Sequence, residues 1–227
     1  MSATAVSAFA VDAGKIDVKI GEDTSTVSTF AEAITAVKAA DDATAKVITL
    51  GEGTFKAADA NTFRIDEPNV TIEGQGSDKT IIDTESYAVS GQAGILVSAD
   101  NVTIKNLKVT STNPGVSGGA IKVSTIGDGT TLPDVNNVTI SDVVITTQAG
   151  FGLNLHGVNN ATITNVKIEN AAKASVNVAN ATDVDITGLE TGTSGWGTDI
   201  IFSYRENSGM YNKASTVTIT DSTLATM

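Results

Sequence analysis

The chain has 227 residues, 41% of them hydrophobic, with 21 glycines and 3 prolines, which is the composition of a globular and not a disordered protein. A net charge of −12 argues against nucleic acid or anionic membranes as partners, because both attract basic protein faces. The chain has no cysteine, which excludes disulfides and thiolate metal sites, and no apolar run approaches the roughly 20 residues that span a bilayer.

Residues 1–14 are predicted to form a flexible leader ahead of a single domain over residues 15–227. Ala8-Phe9-Ala10 has the A-x-A form of a signal-peptide cleavage site, but the basic start and longer apolar stretch of a true signal peptide are lacking. The segment is therefore either the remnant of a trimmed export signal or simply a leader.

A capping box predicts the first helix, at about residues 28–41. Thr29 and Glu32 have the spacing at which each side chain bonds the other residue's backbone, and Phe30, Ile34 and Val37 share one face. We expect this helix to cover the open end of the first coil of a repeating structure. The strands of that first coil are predicted at residues 47–50, 53–55 and 63–65.

A pattern of the form Asn-Val-Thr-Ile recurs along the rest of the chain. Its copies begin at Asn69, Asn101, Asn137, Asn160, Asp183 and Thr216. The shortest interval is 23 residues, and the longer intervals add loops of about ten residues, as solenoid repeats do. Each unit has three short segments in which apolar and polar residues alternate, which predicts three strands a unit. Stacking such units closes a core that one unit cannot close alone.

The apolar positions of these segments form the predicted interior. They include Ile104, Leu107, Val109, Val138, Ile140, Val143, Ile145, Leu153, Leu155, Ile163, Val166, Ile168, Val176, Val178, Val184 and Ile186. A second set of residues, two places after each isoleucine of the pattern, suits turns with unusual backbone angles. These are Gly74, Asn106, Asp142, Asn165, Gly188 and Asp221. Stacked Asn or Asp side chains there are expected to form a hydrogen-bonded ladder to neighbouring backbone groups.

The residues from Phe30 to Phe55, with the FRI, NVTIEGQGSDKTIID and NVTIKNLKV segments that follow, resemble the pectin-lyase-like superfamily of right-handed β-helices. More narrowly, they resemble β-helix modules of bacterial and archaeal cell-surface proteins, and the resemblance covers about residues 15–227. The predicted fold is all-β: a right-handed parallel β-helix of three-strand coils over about residues 46–227, with an N-terminal capping α-helix. The resemblance does not define an activity, because the superfamily includes lyases, hydrolases, epimerases, phage spikes and adhesins.

In folds of this kind, the outward residues of one sheet and the adjacent loops form a binding groove. In each unit, the strand that belongs to this sheet comes directly before the Asn-Val-Thr-Ile segment. Its outward residues here include Lys122, Asn154, His156, Asn177 and Arg205. Long loops at residues 124–136 and 203–215 flank two short turns, so we expect a trough with Asn154, His156 and Asn177 on its floor. Trp196, Tyr204 and Tyr211 near the second loop either stack on sugar rings or pack that loop onto the barrel.

His156 is the only histidine, and Asp199 and Arg205 are its conceivable partners if it acts as a catalytic base. The alternative is an ordinary exposed histidine in a turn. The superfamily resemblance implies other catalytic sets: an Arg or Lys base beside acidic calcium ligands in lyases, and clustered Asp residues in hydrolases. The outward positions of the predicted trough hold neither set. Asp128 and Asp134 offer oxygen ligands suited to calcium, although their spacing matches no EF-hand.

These observations predict a non-catalytic structural or adhesion module at the cell surface or outside the cell, with a polysaccharide or a host or cell-wall glycan as the candidate ligand and no required cofactor. The alternative is a polysaccharide lyase, hydrolase or epimerase acting on an extracellular glycan. The chain ends without a recognisable cap for its last coil, and an uncovered coil exposes unpaired strand edges. We therefore expect either that the chain is a module cut from a longer protein or that a flanking domain or a second copy lies against that end.

Overall fold

The computed structural model describes residues 11–57, 62–84, 93–113, 118–124, 134–148, 150–203 and 214–225. These residues are mostly β-strand, arranged in long parallel sheets, with one α-helix, α1 (Phe30–Lys38). In chain order the strands are β1 (Ile16–Ile20), β2 (Asp23–Val27), β3 (Lys46–Leu50), β4 (Gly53–Lys56), β5 (Arg64–Ile65), β6 (Val70–Glu73), β7 (Thr80–Asp83), β8 (Ala93–Val97), β9 (Thr103–Ser111), β10 (Gly119–Val123), β11 (Val135–Thr147), β12 (Leu153–His156), β13 (Val158–Ala171), β14 (Val176–Ala179), β15 (Thr182–Thr187), β16 (Glu190–Ser194), β17 (Ile200–Phe202) and β18 (Val217–Thr220).

Parallel pairing joins each strand to its equivalent one repeat away. The larger sheet has 12 strands: nine follow the path β18-β15-β13-β11-β9-β6-β3-β1-β2, and β16, β4 and β7 lie off it, with β16 paired to β13 and β7 paired to β4 and β9. The smaller sheet has 6 strands, in the order β17-β14-β12-β10-β8-β5. One isoleucine of each repeat lies opposite the next in register along the larger sheet. This column runs through Ile48, Ile72, Ile104, Ile140, Ile163, Ile186 and Ile219. The predicted vertical alignment of inward side chains is confirmed, because every member except Ile219 is buried.

In three repeats, two strands that were predicted separately form one continuous, bent strand. In β9, β11 and β13 the backbone bends at Asn106, Asp142 and Asn165, which have φ of 57°, 55° and 52°. A single residue in the left-handed region changes the direction of the strand, and the residues before and after it both pair with the neighbouring strand. Left-handed backbone occurs at five of the six predicted turn positions: Asn106, Asp142, Asn165, Gly188 and Asp221.

An asparagine ladder runs along the outside of the larger sheet at the start of the repeat. Asn101 donates from Nδ2 to Asn69 Oδ1 at 3.0 Å, Asn137 to Asn101 at 2.8 Å, and Asn160 to Asn137 at 2.6 Å. All four have φ between 57° and 60°. The sequence analysis predicted a ladder at a different turn of the repeat, the one that contains Asp142 and Asn165. There, Asn165 Nδ2 donates to a side-chain oxygen, Asp142 Oδ1, at 3.1 Å. Side chains therefore bond one another along both columns.

The N-terminal end is closed by α1 and by a hairpin that the sequence analysis did not predict. Thr29 and Glu32 form the predicted capping box, α1 is shorter than expected, and Phe30 packs edge-on against Phe63 with ring centroids 5.0 Å apart. Strand β1 pairs antiparallel with β3 on one side and β2 on the other. Within the predicted leader, Val11 is buried, and the Gly14 backbone N–H donates to the Glu52 carbonyl at 2.8 Å.

At the other end of the stack, apolar side chains of the described residues are exposed. β17 and β18 are the last strands of the two sheets among the described residues. Phe202 and Ile219 continue inward columns of the interior, since they pair with buried Val178 and Ile186, yet they are 61% and 38% exposed. Within the described part of the chain, no helix is long and apolar enough to cross a bilayer.

Candidate functional site

The smaller sheet aligns the predicted groove residues as expected from the repeat. Lys122 lies opposite Asn154, Asn154 opposite Asn177, and Asn177 opposite Ile201. These four residues therefore form one column on one face of the sheet, as the sequence analysis predicted for the first three.

That column is not an open trough floor. Asn154 and Asn177 are each only 6% exposed. Asn177 donates from Nδ2 to Asn154 Oδ1 at 2.8 Å, and Asn154 donates to the Gly118 carbonyl. The prediction that these two amides face a ligand directly is wrong, because they bond within the protein as a short buried ladder. Lys122 and His156 beside them are partly exposed, and both make contacts.

His156 and Asp199 do not lie together as the suggested catalytic pair. His156 lies opposite Ala179 at the far end of β14, whereas the Asp199 carbonyl accepts from the N–H of Val176 at the beginning of that strand. The interval along β14 is three residues, or roughly 10 Å at the rise of an extended strand. Arg205, Tyr204 and Tyr211 lie outside the described residues, as does Asp128 of the proposed calcium pair.

Trp196 and Asp199 instead belong to a site at the end of β16, on the edge of the stack. Trp196 is 55% exposed. Its ring meets Phe151 edge-on, with centroids 5.5 Å apart and an interplanar angle of 86°. The Lys173 ammonium lies 4.9 Å from the centroid of Phe151 and 5.6 Å from that of Trp196. Both roles predicted for Trp196, packing and sugar contact, therefore have a physical basis, because one part of the ring packs and the larger part faces solvent.

The turn that carries Trp196 is tightly bonded. The Ser194 hydroxyl donates to the carbonyls of Lys173 and Thr198, at 2.9 and 2.7 Å, and accepts from the Thr198 N–H at 3.2 Å. The Gly195 N–H donates to the Ala171 carbonyl at 2.9 Å. A Cβ atom at Gly195 would lie 2.2 Å from the Ala172 carbonyl oxygen, so only glycine allows this approach. These bonds fix the position from which Trp196 projects.

A cavity of about 480 Å³ is lined by residues of the same turn, among them Ser194, Gly197 and Thr198. Its lining includes Glu169, Thr193, Thr198 and Asp199, which are two carboxylates and two hydroxyls. Gly192 and Gly197 contribute backbone, and among the described residues no basic side chain lines the cavity. The cavity is therefore a recess of mixed polarity in which carboxylate and hydroxyl groups can accept hydrogen bonds from a ligand.

Glu169 is held in its charged form by neighbours from earlier repeats. The Lys108 ammonium lies 2.9 Å from Oε2, and the Thr146 hydroxyl donates to the same oxygen at 2.9 Å. The hydrogen bond from Lys108, followed by that from Thr146, lowers the pKa of Glu169. Among the described residues Oε1 accepts no hydrogen bond, so it is left to accept from a ligand.

The sequence analysis missed Glu169, Phe151 and Lys173 as members of this site. Glu169 follows Thr146 by one 23-residue repeat, so the repeat length was the signal that could have brought these two together. Phe151 and Lys173 lie in connections between strands, where the alternating pattern carries no information. The described residues contain no cluster of three or more side chains suited to hold a metal ion.

Comparison with known proteins finds no matching family, no matching curated protein and no matching solved structure.

Proposed function

We propose that the chain is a right-handed parallel β-helix of three-strand coils, related to the pectin-lyase-like superfamily and to β-helix modules of cell-surface proteins. The observation that supports this proposal most directly is the in-register isoleucine column from Ile48 to Ile219, which spans both ends of the described structure. Repeats of about 23 residues, each contributing one layer to such columns, are characteristic of a solenoid.

The proposed role is that of a non-catalytic structural or adhesion module, exported and displayed at the cell surface. The open end of the stack carries this proposal, because Phe202 and Ile219 leave inward columns uncovered there. Exposed apolar ends of this kind suit a module that continues into a flanking domain or pairs with another copy. A net charge of −12 helps to keep such a repetitive β-protein soluble until it is assembled.

Surface display can be tested directly in the organism that makes the protein. The epitope-tagged protein would be followed after intact cells are treated with a protease, with a cytosolic protein as the control. Loss of the tagged protein while the cytosolic control survives supports the proposal. Full protection in intact cells, with digestion only after lysis, contradicts it.

A second candidate role, glycan binding, is favoured by the 55% exposed Trp196 in a turn that also lines a cavity with carboxylate and hydroxyl groups. Aromatic rings with one apolar surface and wet surroundings are suited to contact sugars.

The enzyme alternative is tested with the same purified protein, by incubating it with anionic and neutral polysaccharides. New unsaturated or reducing ends that disappear in both His156→Ala and Asp199→Ala would replace the non-catalytic proposal with a lyase or hydrolase.

A further inference from the structure

The exposed ring of Trp196 and the cavity belong to the same turn. Ser194, Gly197 and Thr198 line the cavity and flank Trp196 in sequence. From this juxtaposition we infer that Trp196 and the adjoining cavity together bind a neutral, hydroxyl-rich glycan. The inference rests on the proposed glycan-binding role, and it assigns that role to a site other than the predicted trough.

The two parts of the site match the two kinds of surface that a sugar has. A pyranose ring presents C–H groups on its faces, which pack against an aromatic ring, and hydroxyl groups around its edge. The cavity is lined by two residues with carboxylates, Glu169 and Asp199, and by two threonines, Thr193 and Thr198, which are groups suited to bind such an edge. Hydrogen bonds from hydroxyl groups to ionised carboxylates are among the stronger ones in proteins, and Glu169 is held ionised by Lys108.

The site is also ordered before a ligand arrives. Ser194 bonds to Thr198 within the turn and to the Lys173 carbonyl outside it, and Phe151 meets the Trp196 ring edge-on. A binding surface that is already fixed loses little conformational entropy when the ligand binds. A ring that merely filled a gap in the packing would be covered, whereas Trp196 has more than half of its surface in solvent.

The charges around the site select against ionic ligands of both signs. Asp199 lines the cavity, Glu169 there is already paired with Lys108, and the chain carries a net charge of −12, so a uronate-containing polysaccharide meets an unfavourable long-range field. A cationic ligand meets competition at the rings, since the Lys173 ammonium already lies near both Phe151 and Trp196. A neutral sugar avoids both penalties.

Because Trp196 is the only tryptophan in the chain, its fluorescence reports on this site alone. We would titrate the whole chain with a neutral β-glucan oligosaccharide, a neutral mannan, polygalacturonate and chitosan, and measure affinity in parallel by calorimetry. The expected result is a saturable emission change with at least one neutral glycan, and weaker binding of polygalacturonate and chitosan.

The variants are Trp196→Ala, Trp196→Phe and Asp199→Asn, with Phe202→Ala as the matched control. Phe202 is an aromatic residue with similar exposure, 61%, and it does not line the cavity. We expect Trp196→Ala to weaken binding at least tenfold, Asp199→Asn to weaken it several-fold, and Trp196→Phe and Phe202→Ala to keep most of it. Unchanged circular dichroism would show that the variants fold.

Three outcomes overturn the inference. The first is parent-like binding by Trp196→Ala, which moves the glycan site elsewhere and leaves a glycan-binding function standing. The second is preference for the uronate polymer or for chitosan, which removes the neutral ligand class. The third is no binding of any of the four glycans, which removes the site while the structural role at the cell surface is still decided by the protease experiment.

Discussion

Val143 and Val144 are adjacent in sequence but face opposite sides of β11. Val143 is fully buried in the interior, whereas Val144 is partly exposed and lies opposite Lys108 on β9 and Lys167 on β13. The same substitution at these two positions therefore tests which face of the strand is inside.

Val143→Asp should be strongly destabilising, by about 4 kcal/mol or more, because it places a carboxylate among aliphatic side chains with no partner. Val144→Asp should change the free energy of unfolding by less than about 0.5 kcal/mol, since it puts the same group in water between two lysines. Urea denaturation followed by circular dichroism would measure both. Similar midpoints for the two variants would mean that the inward assignment is wrong.

The asparagine ladder ends at a residue that cannot extend it. Asn160 Oδ1 accepts no hydrogen bond among the described residues, and the next position of the column is Asp183, with φ of 53°. A carboxylate offers no donor, whereas an amide does. Asp183→Asn should therefore add a rung from Nδ2 to Asn160 Oδ1 and raise stability by about 0.5–1.5 kcal/mol, measured as a shift in the urea midpoint.

Asp185→Asn is the matched control for this change. It removes the same charge from the same strand, but Asp185 lies opposite Thr162 and not in the asparagine column. If both variants gain equal stability, relief of charge repulsion and not a new rung is the cause.

The contact between Lys108 and Glu169 should appear in the pH dependence of stability. The pKa of Glu169 is lower in the folded chain than the value of about 4.3 expected when unfolded, first because of the hydrogen bond from Lys108. Its contribution is therefore fully present above about pH 4.3 and is lost as the pH falls through the lower, folded pKa. Glu169→Gln should flatten the fall in stability over this acid range, measured by urea denaturation at several pH values.

Lys108→Met checks the assigned cause. Removing the ammonium should flatten the acid-range dependence in the same direction as Glu169→Gln, and the double variant should add little further. If Lys108→Met leaves the parent's pH profile intact, the effect belongs to Thr146 or to another group.

The open end of the stack should make the purified chain self-associate. The N-terminal edge strand β2 is polar and mostly exposed, so contact between copies should join two C-terminal ends through Phe202 and Ile219. Analytical ultracentrifugation should show dimers that form with rising concentration, and Phe202→Asp with Ile219→Asp should shift them to monomers. A parent chain that stays monomeric at high concentration would instead favour a flanking domain as the natural neighbour.

The sequence by itself determined which side chains face inward and where the strands bend. Alternation along each strand separates Val143 from Val144, and the spacing of the repeat brings Ile140 beside Ile163. Both follow from local chemistry repeated at a fixed interval: extended backbone turns successive residues to opposite faces, and asparagine tolerates the left-handed backbone angle.

Only the tertiary structure decided how much of each outward face meets solvent. Asn154 was predicted to be accessible, yet it is buried in a short ladder. Trp196 was predicted either to contact a ligand or to pack its loop, and it projects, 55% exposed, from a bonded turn. Exposure depends on which distant segments pack nearby, and no pattern within one strand contains that information. The site at Trp196 also depends on the tertiary structure. Lys108, Thr146 and Glu169 come from successive repeats, and they contact one another only when the sheet has formed.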